Sequence, residues 1–203
     1  MKLSKRRVVC LIILLVFLAI YFPINRFASG GWALSLPIDN SIPLYPPALI
    51  PYLFGSLLFV GFPIWASLYS KKGEYEAYVI SFLTISLISY VLYLVLPTYV
   101  IRPEITSQDC FSRAIIILYQ NDYPYNAAPS GHAFYTLISF LYLRRWKPKL
   151  QLVSLIVAIL IIASTLLTKQ HYILDIISGL ILGFITYWAG RYIQRKWDLI
   201  FAN

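Results

Sequence analysis

Six apolar runs decide what this chain can fold into. They cover residues 8–24, 49–68, 79–97, 131–143, 150–167 and 172–190. A helix needs about 20 apolar residues to cross a bilayer core about 30 Å thick. Five of the runs approach that length. The fourth spans only 13 residues, about 20 Å of helix. Non-helical backbone at membrane depth is tolerated only when it is buried in protein or lines a polar cavity. The fourth helix is therefore expected to start below the membrane surface, inside the protein. The expected fold is all-α: a polytopic membrane protein built as a six-transmembrane-helix bundle. Residues 1–203 would form a single membrane-embedded domain. Composition agrees, with 60% hydrophobic and 12% charged residues, against about 45–50% and about 25% in soluble domains. That balance argues against a soluble enzyme, a disordered chain and a nucleic-acid binder. The expected partner is the lipid bilayer, and oligomeric state is left open.

Charge supplies the topology. The net charge is +9, from 17 Lys+Arg against 8 Asp+Glu. The segments before run one, between runs two and three, between four and five, and after six should share one side. They hold Lys2, Lys5, Arg6, Arg7, Lys71, Lys72, Arg144, Arg145, Lys147, Lys149, Arg191, Arg195 and Lys196. The other side keeps only Arg26, Arg102, Arg113 and Lys169. Basic residues mark cytoplasmic loops, so both termini are expected in the cytoplasm, with an even number of spans. The expected location is the plasma membrane. The first run follows a basic N-terminus, as in a signal peptide, but exceeds the usual 7–15-residue apolar region. An uncleaved first span is expected, while Ala28-Ser29-Gly30 leaves processing open. Cys10 and Cys110 do not read as a disulfide framework.

Two outer segments are long. Residues 25–47 are rich in Pro and Gly and are expected to form a short re-entrant or surface cap. Residues 98–130 contain an amphipathic run at 111–119, expected as a short interfacial helix.

The polar residues then stand out. His132 and His171 are the only histidines, and each opens an apolar run on the outer side. Asp175 follows His171 by four residues, a spacing that places both on one helical face. Ionisable groups at membrane depth are expensive and usually functional. Asp175 could fix the His171 tautomer and leave the other ring nitrogen free to attack. The other reading is a snorkelling histidine beside a buried acid, and both stand at this point. In Pro129-Ser130-Gly131-His132, the proline and serine suit a helix entry. A helix start binds anions through its free N–H groups, and His132 could donate a proton there. An ordinary cap followed by an interfacial histidine is the competing reading. Arg102-Pro103 could hold phosphate or simply end a helix, and Lys169 could be a phosphate ligand or simply an interfacial lysine. A zinc set of His132, His171, Asp175 and Glu104 lacks any HExxH or CxxC pairing, so no metal or other cofactor is expected.

These motifs resemble the type-2 phosphatidic acid phosphatase superfamily. That family carries Lys-x6-Arg-Pro, Pro-Ser-Gly-His and Ser-Arg-x5-His-x3-Asp. The second is complete at 129–132, the third reads Ser164-Thr165-x5-His171-x3-Asp175, and the first survives only at Arg102-Pro103. The motif-bearing core runs over about 79–190. Val95 and Thr165 stand where the family has Lys and Arg, so two phosphate-binding cations are missing. Lys169, one turn beyond Thr165, is expected to supply the charge. The stretch 164–179 is similar to the branch that includes inositol phosphorylceramide synthase. Sphingomyelin synthases also resemble this branch, and such relatives are phosphotransferases.

The resemblance implies that His171 attacks phosphorus and forms a phosphohistidine. Asp175 would orient His171, and His132 would protonate the leaving group and then activate water or an acceptor. Arg102, Ser130 and Gly131 would hold the phosphate oxygens. The expected substrate is a membrane lipid phosphate: phosphatidate, phosphatidylglycerol phosphate, or a polyprenyl phosphate or diphosphate. Headgroup transfer to a lipid alcohol is the alternative. A non-catalytic transporter or scaffold is the third reading. Gly179 and Gly183 continue the His171–Asp175 face as a small-residue seam for a neighbouring helix, which should turn Asp175 into the bundle.

Overall fold

The computed structural model describes residues 4–200. Lys2, one of the basic residues of the N-terminal segment, lies outside them. The described residues form seven α-helices: α1 Lys5–Phe27, α2 Leu49–Tyr69, α3 Lys72–Val95, α4 Cys110–Asn121, α5 Gly131–Trp146, α6 Gln151–Leu167 and α7 Ile173–Ile200. Five of them, α1, α2, α3, α6 and α7, are long and apolar enough to cross a membrane. α5 has 16 residues, about 24 Å, the short helix that the sequence announced. The described residues contain no strands, only two isolated bridges, Trp32 with Thr98 and Tyr99 with Tyr125.

α5 is the centre of the bundle and packs against α7, α6, α2 and α3, while α7 packs most closely against α3 and α5. The seam with α5 rests on glycine. A Cβ at Gly179 would lie 2.7 Å from the Ser130 carbonyl oxygen, and one at Gly183 would lie 3.1 Å from Phe134 Cα. The expected small-residue seam is thus the α5–α7 contact. Large apolar side chains such as Ile12, Leu57, Leu94, Leu152, Ile159 and Ile181 point outward, as lipid-facing surfaces require.

The long helices alternate in direction. At one end Arg7 donates to the Ser67 and Ser70 carbonyls, Arg6 pairs with Glu76, and Arg145 pairs with Glu74. These contacts bring the starts of α1 and α3 to the ends of α2 and α5. At the other end, Trp32 N–H bonds Pro97, Tyr45 N–H bonds Leu167, and Ser130 N–H bonds Asp175. The histidines sit at that second end.

Segments 25–47 and 98–130 order themselves around it. Residues 37–41 and 46–48 form 3-10 turns. Asp39, buried, accepts from Leu36 N–H at 2.7 Å and from Ile173 N–H at 3.0 Å, so the 25–47 segment caps α7. α4 is the short helix expected over the amphipathic run at 111–119. Asp109 caps it by accepting from Phe111 and Ser112 N–H, and these bonds with those from the Ser107 and Ser112 hydroxyls hold the Asp109 carboxyl below its usual range. α1 clamps the loop beyond α4: buried Asn25 donates to the Tyr123 and Tyr125 carbonyls and accepts from Tyr123 N–H.

Candidate active site

His132 and His171 face each other where α5 and α7 begin, with ring centroids 6.3 Å apart. The entry to α5 explains how His132 is held. Ser130 is the N-cap: its Oγ accepts from Ala133 N–H at 3.3 Å and its carbonyl from Phe134 N–H at 3.1 Å. Its own N–H donates to the Asp175 carbonyl at 2.9 Å. The start of α5 is therefore fixed to the first turn of α7. The N–H groups of Gly131 and His132, at the first two helical positions, have no intrahelical acceptor. The space beside Gly131 is open: a methyl group placed on its Cα would find its nearest neighbour at 3.9 Å. Such a helix start is a ready anion site.

His132 is buried against α2. Its ring stacks on Tyr52 at 4.2 Å between centroids and meets Phe59 at 4.8 Å. Its Nε2 lies 3.1 Å from Ser56 Oγ. Ser56 Oγ also lies 3.4 Å from the Tyr52 carbonyl oxygen, and which of Ser56 and His132 donates to the other follows the tautomer of the ring.

His171 is seated differently from the sequence expectation. α7 begins at Ile173, so His171 precedes the helix and does not share a helical face with Asp175. α6 ends at Leu167, and Lys169 takes a left-handed φ of 53°. The N–H groups of Gln170 and His171 both reach back to the Thr165 carbonyl, at 2.9 and 3.2 Å. This is a left-handed helix cap. Thr165, at the position of the family's arginine, thus seats His171 through its backbone. Asp175 is fully buried, and its Oδ2 lies 3.7 Å from His171 Nδ1. That distance is too long for a hydrogen bond and makes the contact electrostatic. Oδ2 instead accepts from Tyr172 N–H at 2.7 Å. His171 Nδ1 and Asp175 Oδ1 have no hydrogen-bond partner among the described residues. Asp175 does look into the bundle.

Arg102 reaches the segment of His171 through Gln170. Its Nη2 donates to Gln170 Oε1, its Nη1 donates to the Asp122 carbonyl at 2.7 Å, and its guanidinium lies 4.3 Å from the Tyr119 ring centroid. The Asp122 side chain accepts from Tyr21 at 2.9 Å and Tyr52 at 3.2 Å. Burial pushes the Asp122 carboxyl above its usual range, against those hydroxyls and the charge of Arg102. Burial also lowers the Arg102 pKa, opposed by Asp122.

The structure therefore gathers His132, His171, Asp175, Ser130 and Gly131, with Arg102 joined through Gln170. Lys169 is engaged otherwise: its ammonium donates to the Asp39 and Ile42 carbonyls. The helix that was to project it from the face of Thr165 has already ended. Sequence reasoning missed Tyr52, Ser56, Asp122 and Gln170. Ser56, a hydroxyl inside an apolar run, and Asp122, one of 8 acidic residues, were the available signals. Among the described residues, no three His, Cys, Asp or Glu side chains are grouped to hold a metal ion. An apolar groove between α2, α5 and α6 runs from Phe59 and Thr136 to Leu143 and Leu150, so Phe59 links it to the His132 ring.

Comparison with curated proteins and with solved structures gives no match. The family model of the PAP2 superfamily does match, over residues 32–189. That stretch holds the helix start at Ser130, both histidines, Asp175 and Arg102, and it takes in well over half of the chain, so the protein belongs to the PAP2 superfamily.

Proposed function

We propose that the protein is a metal-independent lipid phosphatase that works through a phosphohistidine. Its substrate is a phosphate monoester or diphosphate of a membrane lipid. One observation carries this reading: His132 and His171 face each other at 6.3 Å, beside the open helix start at Gly131, with the Asp175 carboxylate behind His171.

The roles follow from that arrangement. His171 Nδ1 faces Asp175, so Nε2 is the nitrogen that attacks phosphorus. The P–O bond to the lipid breaks as the N–P bond forms, and His132 gives its proton to the leaving oxygen. Asp175 stabilises the positive charge left on His171. Water then attacks the phosphohistidine and returns a proton to His132, releasing phosphate. The Gly131 and His132 N–H groups, the Ser130 hydroxyl and Arg102 stabilise charge on the phosphoryl oxygens. Lys169 has a part in this scheme only if its ammonium leaves the Asp39 and Ile42 carbonyls.

A second reading has support of its own. His132 is enclosed by Tyr52 and Phe59, which restrict water and suit a lipid alcohol as acceptor. The phospho-headgroup would then pass to that alcohol. In either case the lipid chains lie in the groove that starts at Phe59. The reading also keeps six spans, with the short α5 counted among them, and one domain over the whole chain. Both termini are cytoplasmic and the site opens on the outer face of the plasma membrane. The excess of basic residues at the opposite end supports this orientation.

The test is phosphate release from a panel of lipid phosphates by purified protein in detergent, with EDTA present and acceptor alcohols added in parallel. Activity should survive EDTA and vanish in His171→Ala. Loss with EDTA, or retention in His171→Ala, overturns the mechanism. Labelled acceptor lipid as the product would favour transfer.

A further inference from the structure

The family pattern calls for more cations around the phosphate than this chain provides. Val95 and Thr165 carry no charge, and the ammonium of Lys169 is held by two backbone carbonyls. Only Arg102 is left of the expected set. Two uncharged donors stand near the proposed site: Gln170, bonded to Arg102, and Asn126, in the loop that enters α5. Gln170 is 6% exposed and immediately precedes His171. Its Oε1 accepts from Arg102, which fixes the orientation of the amide. The opposite end, Nε2, is buried without a hydrogen-bond partner among the described residues, and so is Arg102 Nε.

Asn126 is the second. It is 3% exposed, and neither Nδ2 nor Oδ1 has a partner among the described residues. It sits in the loop that enters α5, four residues before Ser130. That loop is pinned to Thr98 through Ala127 and Ala128, and Ala127 packs against Tyr172, the neighbour of His171. Asn126 holds a left-handed φ of 58°, a conformation Asn accepts more readily than most residues. A buried amide without a partner is costly, so one bonded to Arg102 and another in the loop that leads to the start of α5 call for an acceptor of many hydrogen bonds.

We propose that Gln170 and Asn126 bind the phosphate group of the substrate as neutral N–H donors alongside Arg102. This deepens the phosphatase reading and rests on it for the identity of the substrate. The carboxamides supply hydrogen bonds where the relatives supply charge. They are binding residues and take no proton.

The test separates binding from turnover. Full-length protein in detergent is titrated with inorganic phosphate, and protection against thermal unfolding is followed. Turnover of a short-chain phosphatidate is measured in parallel. Gln170→Ala and Asn126→Gly should each weaken phosphate binding on the order of tenfold, since hydrogen bonds to charged groups are the stronger kind. Glycine keeps the left-handed backbone at 126. Gln170→Glu and Asn126→Asp should weaken it further, with part of the loss recovered on acidification as the new carboxylates protonate. These near-isosteric variants carry the test if the truncations fail to fold. A purely structural role would lower the melting temperature without changing the phosphate titration, and that result overturns the proposal. So does wild-type protein that inorganic phosphate does not protect. If the wild type binds phosphate through these amides but turns over no lipid phosphate, the proposal stands and the phosphatase reading falls. If turnover proceeds and the variants bind as the wild type does, the reverse holds.

Discussion

The seam between α3 and α5 and the histidine end of the bundle both bury polar side chains, and they treat them in opposite ways. In the seam, Ser81 bonds Tyr142 at 3.0 Å and Ser86 bonds Tyr135 at 2.8 Å. The serines also donate to, or share their protons with, carbonyls one turn back in α3. At the histidine end several atoms of charged and amide groups are left open. Of the nine buried side-chain polar atoms without a partner among the described residues, six belong to Arg102, Asn126, Gln170, His171 and Asp175. The other three are hydroxyls of α3, on Tyr75, Tyr78 and Ser89. A hydroxyl can rotate towards whatever is near, whereas an amide or a carboxylate held by neighbours cannot. The paired seam holds helices together. On the proposed reading, the unpaired end gives up stability to keep donors and acceptors ready for a ligand, as strained functional sites commonly do.

Substitutions can break or sharpen that contrast. The largest effect should be His171→Ala, which lowers lipid-phosphate turnover by about 10⁴-fold or more, by analogy with other nucleophile deletions. Its melting temperature should not fall. A parallel loss of fold would erase the distinction between the two regions. Asp175→Asn should lower kcat by roughly 10²–10⁴-fold, as misoriented catalytic histidines do. Thermal unfolding should show unchanged or raised stability, because a buried charge is removed while an amide oxygen can still accept from Tyr172. Gly179→Ala tests the joint between the regions. Its Cβ would press on Ser130 at 2.7 Å, so overpacking of about 1–3 kcal/mol is expected, with turnover falling as the start of α5 moves. Tyr142→Phe belongs to the paired seam. It should cost about 1 kcal/mol and leave turnover unchanged, and a double-mutant cycle with Ser81→Ala should recover the coupling.

The smallest effect concerns Asp122. Burial raises its pKa in the folded protein, so the folded state binds the proton more tightly than the unfolded state. Stability should then decline as pH rises from about 4, the unfolded value, through the folded value. Asp122→Asn should flatten that part of a stability–pH curve. An unchanged curve would show that Asp122 ionises freely.

Much of this was written in local sequence. The apolar runs became helices because their length and composition leave a membrane chain little choice. Ser130 capped α5 where its motif predicts, and the Gly179–Gly183 spacing gave the α5–α7 contact. The failures share a cause. Periodicity places a residue on a face only while the helix lasts. α6 stops at Leu167 and α7 starts at Ile173, so the positions of Lys169 and His171 obey a turn instead. Ser56 meets His132 across 76 positions, and Gln170 meets Arg102 across 68. No repeat or spacing encodes such meetings, since they arise only when separate helices dock.

The Asn25 clamp makes that docking a matter of timing. Its three bonds join α1 to residues 98 and 100 positions further on. During synthesis α1 enters the membrane with a carboxamide near its end that finds these partners only after α2, α3 and α4 have been made. Helix α1 lies outside the 32–189 stretch shared with the family. Yet it closes on the loop that leads to Ser130 and His132. The contacts of α1 at this end thus wait for the loop after α4, while those at its other end, to α2 and α3, do not.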